Sequence, residues 1–525
     1  MLQGTDKRTP LVILGLDVGD PYDIQKWASQ GYLPTIAGIM AKGSWGRIAG
    51  PEMCSEQGLW FAMFNGVSRG KHGYYYFRQL TPGTYNLEEF TGLATQEKPF
   101  WAHLADSKVK VAQLDVPDAC PVPRLPGWQL LNWALHNIHE PFPPETVPAE
   151  VMAEVREIFG PRMIINESLN SDFGTSVKIF RNLMHRIEKK TDLCLKMVDR
   201  HPVDLFVTVF AETHTGTHQL WKYRPEAPRV KGLPEEHELT HAIRDIYQAV
   251  DRAMGRILAQ LPPDANVFIL SSSGMEDHYP AIGIIESFCR RLGYQATPEP
   301  SKSLPLTPLA IARRFMPENL RIAISRHLPR QMQERMVASL FHDGTDWSRT
   351  EAFHIPAHYN SFLRVNLRGR EPQGIVADGA ERADVVKRME EDLHLLIDPV
   401  TNQAAVREVF HTADYGRCGH LHPALPELVV KWKPCQHFLS RLLHPKAELT
   451  QPVPGFYRDS EHSEVAFLAA AGPDISVRGN IGDVDLLDLA PTFLAALGQS
   501  KTERMDGNVI PGLLASGIAA QGSHK

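Results

Sequence analysis

Leu11-Val12-Ile13-Leu14-Gly15-Leu16-Asp17 is the stretch on which the fold turns. Six apolar residues closed by a carboxylate are too few to span a membrane and have the length of a buried strand. The same grammar recurs along the chain. Val109–Leu114 runs into Asp115, Leu205–Phe210 is followed by Glu212, and Val267–Leu270 runs into Ser271-Ser272-Ser273. Leu428–Lys431 and Val465–Ala470 complete the set of expected strands. Amphipathic stretches near 23–42, 148–159, 179–200, 237–261, 384–397 and 485–497 read as helices. Short apolar runs alternating with amphipathic stretches predict an α/β fold, with a mostly parallel sheet and helices on both faces. In such open sheets ligands bind at the carboxyl ends of strands, which is where the polar residues just named fall.

The chain has 525 residues, 43% of them hydrophobic and 22% charged, enough for a substantial core. A net charge of −6 gives no basic footprint and argues against a nucleic-acid polymer as partner. Met1–Pro10 is polar and Leu11–Leu16 is too short for a signal h-region, so neither a signal peptide nor a membrane span is expected. The six cysteines, at 54, 120, 194, 289, 418 and 435, form no CxxC pair and read as reduced thiols of a cytoplasmic protein. Residues 279–350 differ in texture. Pro298, Pro300, Pro305 and Pro308 lie among helical pieces such as Ile311–Phe315 and Gln331–Phe341. This segment reads as a mainly helical insertion or cap, or as an irregular connection, between core segments 8–278 and 351–515.

Three separated stretches carry a family resemblance. The first begins with Leu14-Gly15-Leu16-Asp17 and continues through Gly31-Tyr32-Leu33-Pro34-Thr35-Ile36, Gly43-Ser44-Trp45-Gly46, Trp60, Gly66 and Gly70-Lys71-His72-Gly73. The second is Glu212-Thr213-His214-Thr215-Gly216-Thr217-His218. The third holds His462, Ala471-Gly472-Pro473, Asp488-Leu489-Ala490-Pro491-Thr492 and Met505-Asp506-Gly507. In order and spacing these resemble the type I phosphodiesterase/nucleotide pyrophosphatase branch of the alkaline phosphatase superfamily. The resemblance implies an alkaline phosphatase-like core, two divalent cations and a hydroxyl nucleophile. It assigns one cation to His214, His218 and His462, the first of these replacing a carboxylate. It assigns a second to Asp17, the nucleophile and an Asp-His pair that falls here on Ser272-Ser273.

Hydrolysing a phosphate ester near neutral pH requires neutralised phosphoryl oxygens and a strong nucleophile, and paired cations supply both. Two serines do not replace an aspartate and an imidazole as ligands. The second site is therefore not expected in its usual form, although Asp17, Glu56, Glu212, Glu276, Asp277 and His278 offer groups to rebuild it. Three imidazoles make a site suited to zinc with an open position for water or substrate. The competing reading of His214 and His218 is a hydrogen-bonded pair without metal.

The family's nucleophile position falls on Glu56, with Ser55 one residue earlier. Ser55 is then the nucleophile and Glu56 a ligand or base, or Ser55 caps the helix that carries Trp60 and Phe64. Lys71 and His72, between glycines, either touch substrate or form a structural turn. Tyr74–Phe77 lines a pocket or forms a buried strand. His237-Glu238-Leu239-Thr240-His241 matches the metalloprotease pattern HExxH. On a helix over 237–261 its histidines would face away from the apolar stripe and into solvent. Arg364–Glu371 reads as a solvated, ion-paired turn, and Pro356 breaks the helical spacing of His354 and His358.

The expectation is a metal-dependent hydrolase of a small phosphorylated substrate, a phosphodiester or nucleotide-like pyrophosphate. The alternative is a superfamily member with a remodelled single-metal or metal-free site that binds a phosphorylated ligand or does non-hydrolytic chemistry.

Overall fold

The computed structural model describes residues 9–55, 57–90, 95–135, 143–165, 171–228, 230–277, 281–299, 330–357, 360–415, 420–452, 459–476 and 478–515. They fall into two compact units. One comprises Met1–Tyr74, Thr91–Glu276 and Asp459–Lys525, and the other Tyr75–Phe90 and Asp277–Arg458.

The first unit is built on a nine-stranded sheet. Its strands are β1 (Leu11–Leu16), β2 (Ser44–Ala49), β3 (Val111–Leu114), β4 (Gly127–Leu131), β5 (Glu145–Val147), β6 (Leu205–Phe210), β7 (Asn266–Ser271), β8 (Ala466–Ala471) and β9 (Gly479–Asp485), in the order β9-β2-β8-β7-β1-β6-β3-β4-β5. The pairings of β1 with β6 and β7, of β3 with β4 and β6, and of β2 with β9 are parallel; β8 runs antiparallel to both its neighbours, and β5 to β4. The expected mostly parallel α/β sheet is therefore present.

Side chains alternate across β1 with the two-residue period of a strand. Val12, Leu14 and Leu16 enter one core with residues of the helices Phe173–Arg200 and Ala242–Gln260. Leu11 and Ile13 enter a second core with residues of the helices Leu59–Asn65 and Leu489–Ala496. Burial on both faces explains why β1 reads as one continuous apolar run. Gly15 is required by packing. A Cβ there would lie 2.7 Å from Val209 and 2.8 Å from the Trp60 ring.

Local chemistry also sets helix limits. The amphipathic stretch expected over 23–42 is two helices, Pro21–Ser29 and Pro34–Lys42. Gly31 at φ +83° supplies the turn between them, and Pro34 opens the second. Asp251 from the helix Ala242–Gln260 accepts from the Thr35 and Ile36 amides at 3.0 and 2.9 Å, satisfying donors that a helix start leaves open.

The second unit does not follow the expected boundaries of 279 and 350. It continues to Arg458 because Ala352–Ile355, Ser361–Val365, Leu428–Trp432 and Val406–His411 form their own four-stranded antiparallel sheet. Leu428–Lys431 is thus a strand, as expected, but not of the main sheet. Gln331–Phe341 lies in the helix Arg330–Asp343, whereas Pro300, Pro305, Pro308 and Ile311–Phe315 lie outside the described residues. Arg364 and Glu371 are buried rather than solvated. Arg364 donates to Glu371 at 2.8 Å and to the carbonyls of Leu425 and Pro423 at 2.7 and 2.8 Å, so its charge is compensated inside the unit. His354 is buried on a strand beside Gln295, at 2.9 Å, and burial pulls its pKa down to about 4. His358 lies outside the described residues. The five described cysteines form no disulfide, and no described helix is long and apolar enough to cross a membrane.

Candidate metal centre

A single residue, Ala211, separates β6 from the helix Glu212–Leu220, so the helix starts at the sheet's carboxyl edge. Thr213 Oγ donates to the Phe210 carbonyl at 3.1 Å and accepts from the Val18 amide at 3.3 Å, tying the helix start to the chain after Asp17. His214 and His218, four residues apart, share one helix face. On the opposite side a Cβ at Gly216 would lie 2.4 Å from Ile246, so the glycine lets this helix seat closely on its neighbour. Glu212, fully buried, accepts from Arg186 Nε at 2.6 Å, and Arg186 is itself 1% exposed. Removing either partner of such a pair leaves a buried charge and costs about 3–5 kcal/mol.

The third imidazole arrives from the far end of the chain. The short strand Ser460–Ser463 pairs with Gly274–Asp277, which follows β7 directly, and this ribbon sets His462 beside Ser273. The three rings converge. Their centroids are 4.7 Å apart for His214 and His218, 5.1 Å for His214 and His462, and 5.0 Å for His218 and His462. One ring nitrogen from each lies within 4.8 Å of the other two. His218 Nε2 and His462 Nε2 are 3.0 Å apart, His218 Nδ1 is 3.0 Å from Ser460 Oγ, and His462 Nδ1 is 2.7 Å from Ser273 Oγ. His214 and His218 are buried and His462 is half-buried. Three imidazoles turned toward one another, two with their outer nitrogens on hydroxyls, fit a borderline-soft divalent cation.

Asp17 does not join this group. Its Oδ1 accepts from Trp60 Nε1 at 2.6 Å, and its peptide carbonyl accepts from Ser272 Oγ. Gly15 makes the first contact possible by giving the indole room. Among the described residues no second cluster of three or more His, Cys, Asp or Glu residues converges. Asp277 accepts from Gln436 at 2.9 Å, while Glu56 and His278 lie outside the described residues.

Ser55, 2% exposed, follows a short helical turn, Pro51–Cys54. It does not cap the helix bearing Trp60. That helix starts at Leu59, after Gly58 in the left-handed region at φ +72°. The loop is held by Arg69, a residue with no motif to announce it. Its side chain donates to the carbonyls of Glu52, Ser55, Gln57 and Tyr74 at 3.1, 2.7, 2.5 and 3.0 Å. The Glu52 carboxylate accepts from Ser68 Oγ at 2.6 Å and from the Arg69 amide at 3.0 Å, and burial pushes its pKa up. Lys71 and His72 lie in the short helix Arg69–His72, not an open loop. Lys71 pairs with Asp506 and reaches the Arg504 carbonyl, and His72 Nδ1 accepts from the Tyr74 amide at 3.0 Å. Tyr74–Phe77 is buried but irregular, preceding the strand Arg78–Leu80 rather than forming one.

The HExxH match is not helical. His237–Thr240 lies in turns and the helix begins at Ala242, because Thr240 Oγ and His237 Nδ1 bond the local amides of His237 and Leu239 instead. His241 lines a cavity of about 550 Å³ with Trp27, Tyr32, Trp221, Arg224 and Arg244.

Imidazoles gathered at the carboxyl edge of a largely parallel sheet are the construction of an α/β enzyme. The chain belongs to the type I phosphodiesterase/nucleotide pyrophosphatase family, whose model matches residues 11–449, and so stands among the phosphoric ester hydrolases. No curated protein sequence matches it. Solved structures of murine ectonucleotide pyrophosphatase/phosphodiesterase 5, inactive and in complex with AMP, and of the human protein each align over 97% of this chain and 100% of theirs. Both do so at 11% identity with a TM-score of 0.47.

Proposed function

We propose that this chain is a metal-dependent hydrolase of phosphodiesters or nucleotide-type pyrophosphates, with one divalent cation, zinc first, held by His214, His218 and His462. The observation that carries this reading is the convergence of three imidazoles from distant parts of the chain. When bound, the cation supplies positive charge to a phosphoryl oxygen and a site for water. Ser55 Oγ is the nucleophile. It forms a bond to phosphorus as the bond to the leaving oxygen breaks, and water then releases the phosphoryl group from the serine. Glu56, its neighbour, is the base that takes the hydroxyl proton. Arg69 fixes the Ser55 backbone, so the hydroxyl is presented on a loop that does not need to reorganise. In this reading Lys71 and His72 shape the loop's far end and act on substrate only through it.

The bond from Trp60 to Asp17 and the serines at 272 and 273 favour a second reading, a site that binds a phosphorylated ligand without ordinary hydrolysis. Elemental analysis with turnover of bis(4-nitrophenyl) phosphate separates the two. The hydrolase reading expects bound zinc and turnover. Joint His214→Ala and His218→Ala substitution removes the metal, and Ser55→Ala keeps the metal but lowers turnover on the order of 10³-fold or more. Unchanged turnover in both variants overturns the assignment, and metal with no turnover supports the binding role.

A further inference from the structure

Ser272 and Ser273 occupy the positions where the family resemblance expects ligands of a second cation, and the structure gives both hydroxyls other work. Ser272 Oγ donates to the Asp17 carbonyl, holding the end of β1 against the end of β7. Ser273 Oγ sits 2.7 Å from His462 Nδ1. On the other side of the same pair of rings, Ser460 Oγ sits 3.0 Å from His218 Nδ1. Each of these imidazoles therefore has its outer nitrogen on a serine and its inner nitrogen turned toward the other ring, with 3.0 Å between the two Nε2 atoms.

A neutral imidazole carries one N–H and one lone pair. Where a serine accepts the Nδ1–H, the tautomer is set and Nε2 is left as a bare lone pair. With both serines accepting, two lone pairs face each other across 3.0 Å, an arrangement that repels unless a cation lies between them. The opposite arrangement is a closed hydrogen-bond chain in which Ser273 donates to His462 and His462 Nε2–H donates to His218. It requires no cation. The third imidazole, His214, brings a ring nitrogen within 4.8 Å of the other two and completes a three-nitrogen ligand set.

We infer that Ser273 and Ser460 are positioning residues of a one-cation centre, and that the place of the second cation has been converted into outer support for the first. This rests on the reading of the three histidines as ligands. It adds that the chain takes up one divalent cation, not two, and that its affinity depends on two hydroxyls that never touch the cation.

The test is zinc titration of the chelator-stripped full-length chain against a chromophoric competitor, repeated with cobalt to read the ligand field by absorption. Wild type is expected to take up one equivalent. Ser273→Ala and Ser460→Ala each weaken uptake by about 10- to 100-fold, and Ser273→Thr, which keeps the hydroxyl, retains it. The metal-free alanine variants are expected to stay folded with a lowered thermal midpoint, since each loses a hydrogen bond, and the return of affinity in Ser273→Thr ties uptake to the hydroxyl, which a merely structural role would not predict. Two equivalents in wild type, or wild-type affinity in both alanine variants, overturns the inference while leaving the histidine reading in place. No uptake by wild type overturns both. Should one alanine variant fail to fold, the other and the threonine variant still decide.

Discussion

Two buried arginines support the histidine-bearing helix and the Ser55 loop in different ways. Arg186, beneath the histidine-bearing helix, pairs through Nε with the carboxylate of Glu212, the helix's first residue. Arg69, beneath the Ser55 loop, donates to four peptide carbonyls. A helix satisfies its own interior carbonyls and needs anchoring only at its end, whereas an irregular loop leaves carbonyls that something else must satisfy. The histidine-bearing helix is thus fixed by regular structure and one ion pair, and the Ser55 loop by a multidentate side chain.

Substitution is expected to sharpen this contrast. Arg69→Met has the largest effect. It removes the Arg69 donors from three buried carbonyls and one part-buried carbonyl, at roughly 1–3 kcal/mol for each buried one, and chemical denaturation should show a large loss of stability. Glu52 softens the loss, since burial already raises its pKa and it can take up a proton. Arg186→Met comes next, at about 3–5 kcal/mol for a stranded buried carboxylate. Where the protein still folds, this variant should weaken zinc uptake, and a variant with wild-type uptake would break the comparison. Gly15→Ala is the mildest, about 1–3 kcal/mol of overpacking. It presses on Trp60, so the indole fluorescence should shift while zinc affinity stays near wild type.

The parts of this arrangement visible in the sequence are those written in local pattern. β1, β3, β6, β7 and β8 are legible because strands buried on both faces are mostly apolar runs, interrupted only by residues such as Gln113 and Thr208, and the histidines because their spacing sits directly after one of them. The supports were not legible. Arg69 reads as an ordinary charge in Ser68-Arg69-Gly70, since its partners lie on a loop that precedes it and on Tyr74. Ser273 reads as a departure from a ligand pattern and Ser460 carries no signal, because their contacts join distant segments, 189 positions apart for Ser273 and His462. Arg364–Glu371 looked solvated because the carbonyls that receive Arg364 come from about 60 residues away. The HExxH segment looked helical because the apolar period of Ala242–Gln260 extends back through Leu239, which is buried in a turn.

Gly216 has a mechanical corollary. With its neighbour helix pressed so near that even one methyl group would push the Ile246 side chain aside, the support carrying His214 and His218 is closely backed on that side. His462 rides on a two-stranded ribbon and is less enclosed. On the proposed one-cation reading, adjustment to ions of unequal radius is expected of that ribbon more than of the closely backed helix.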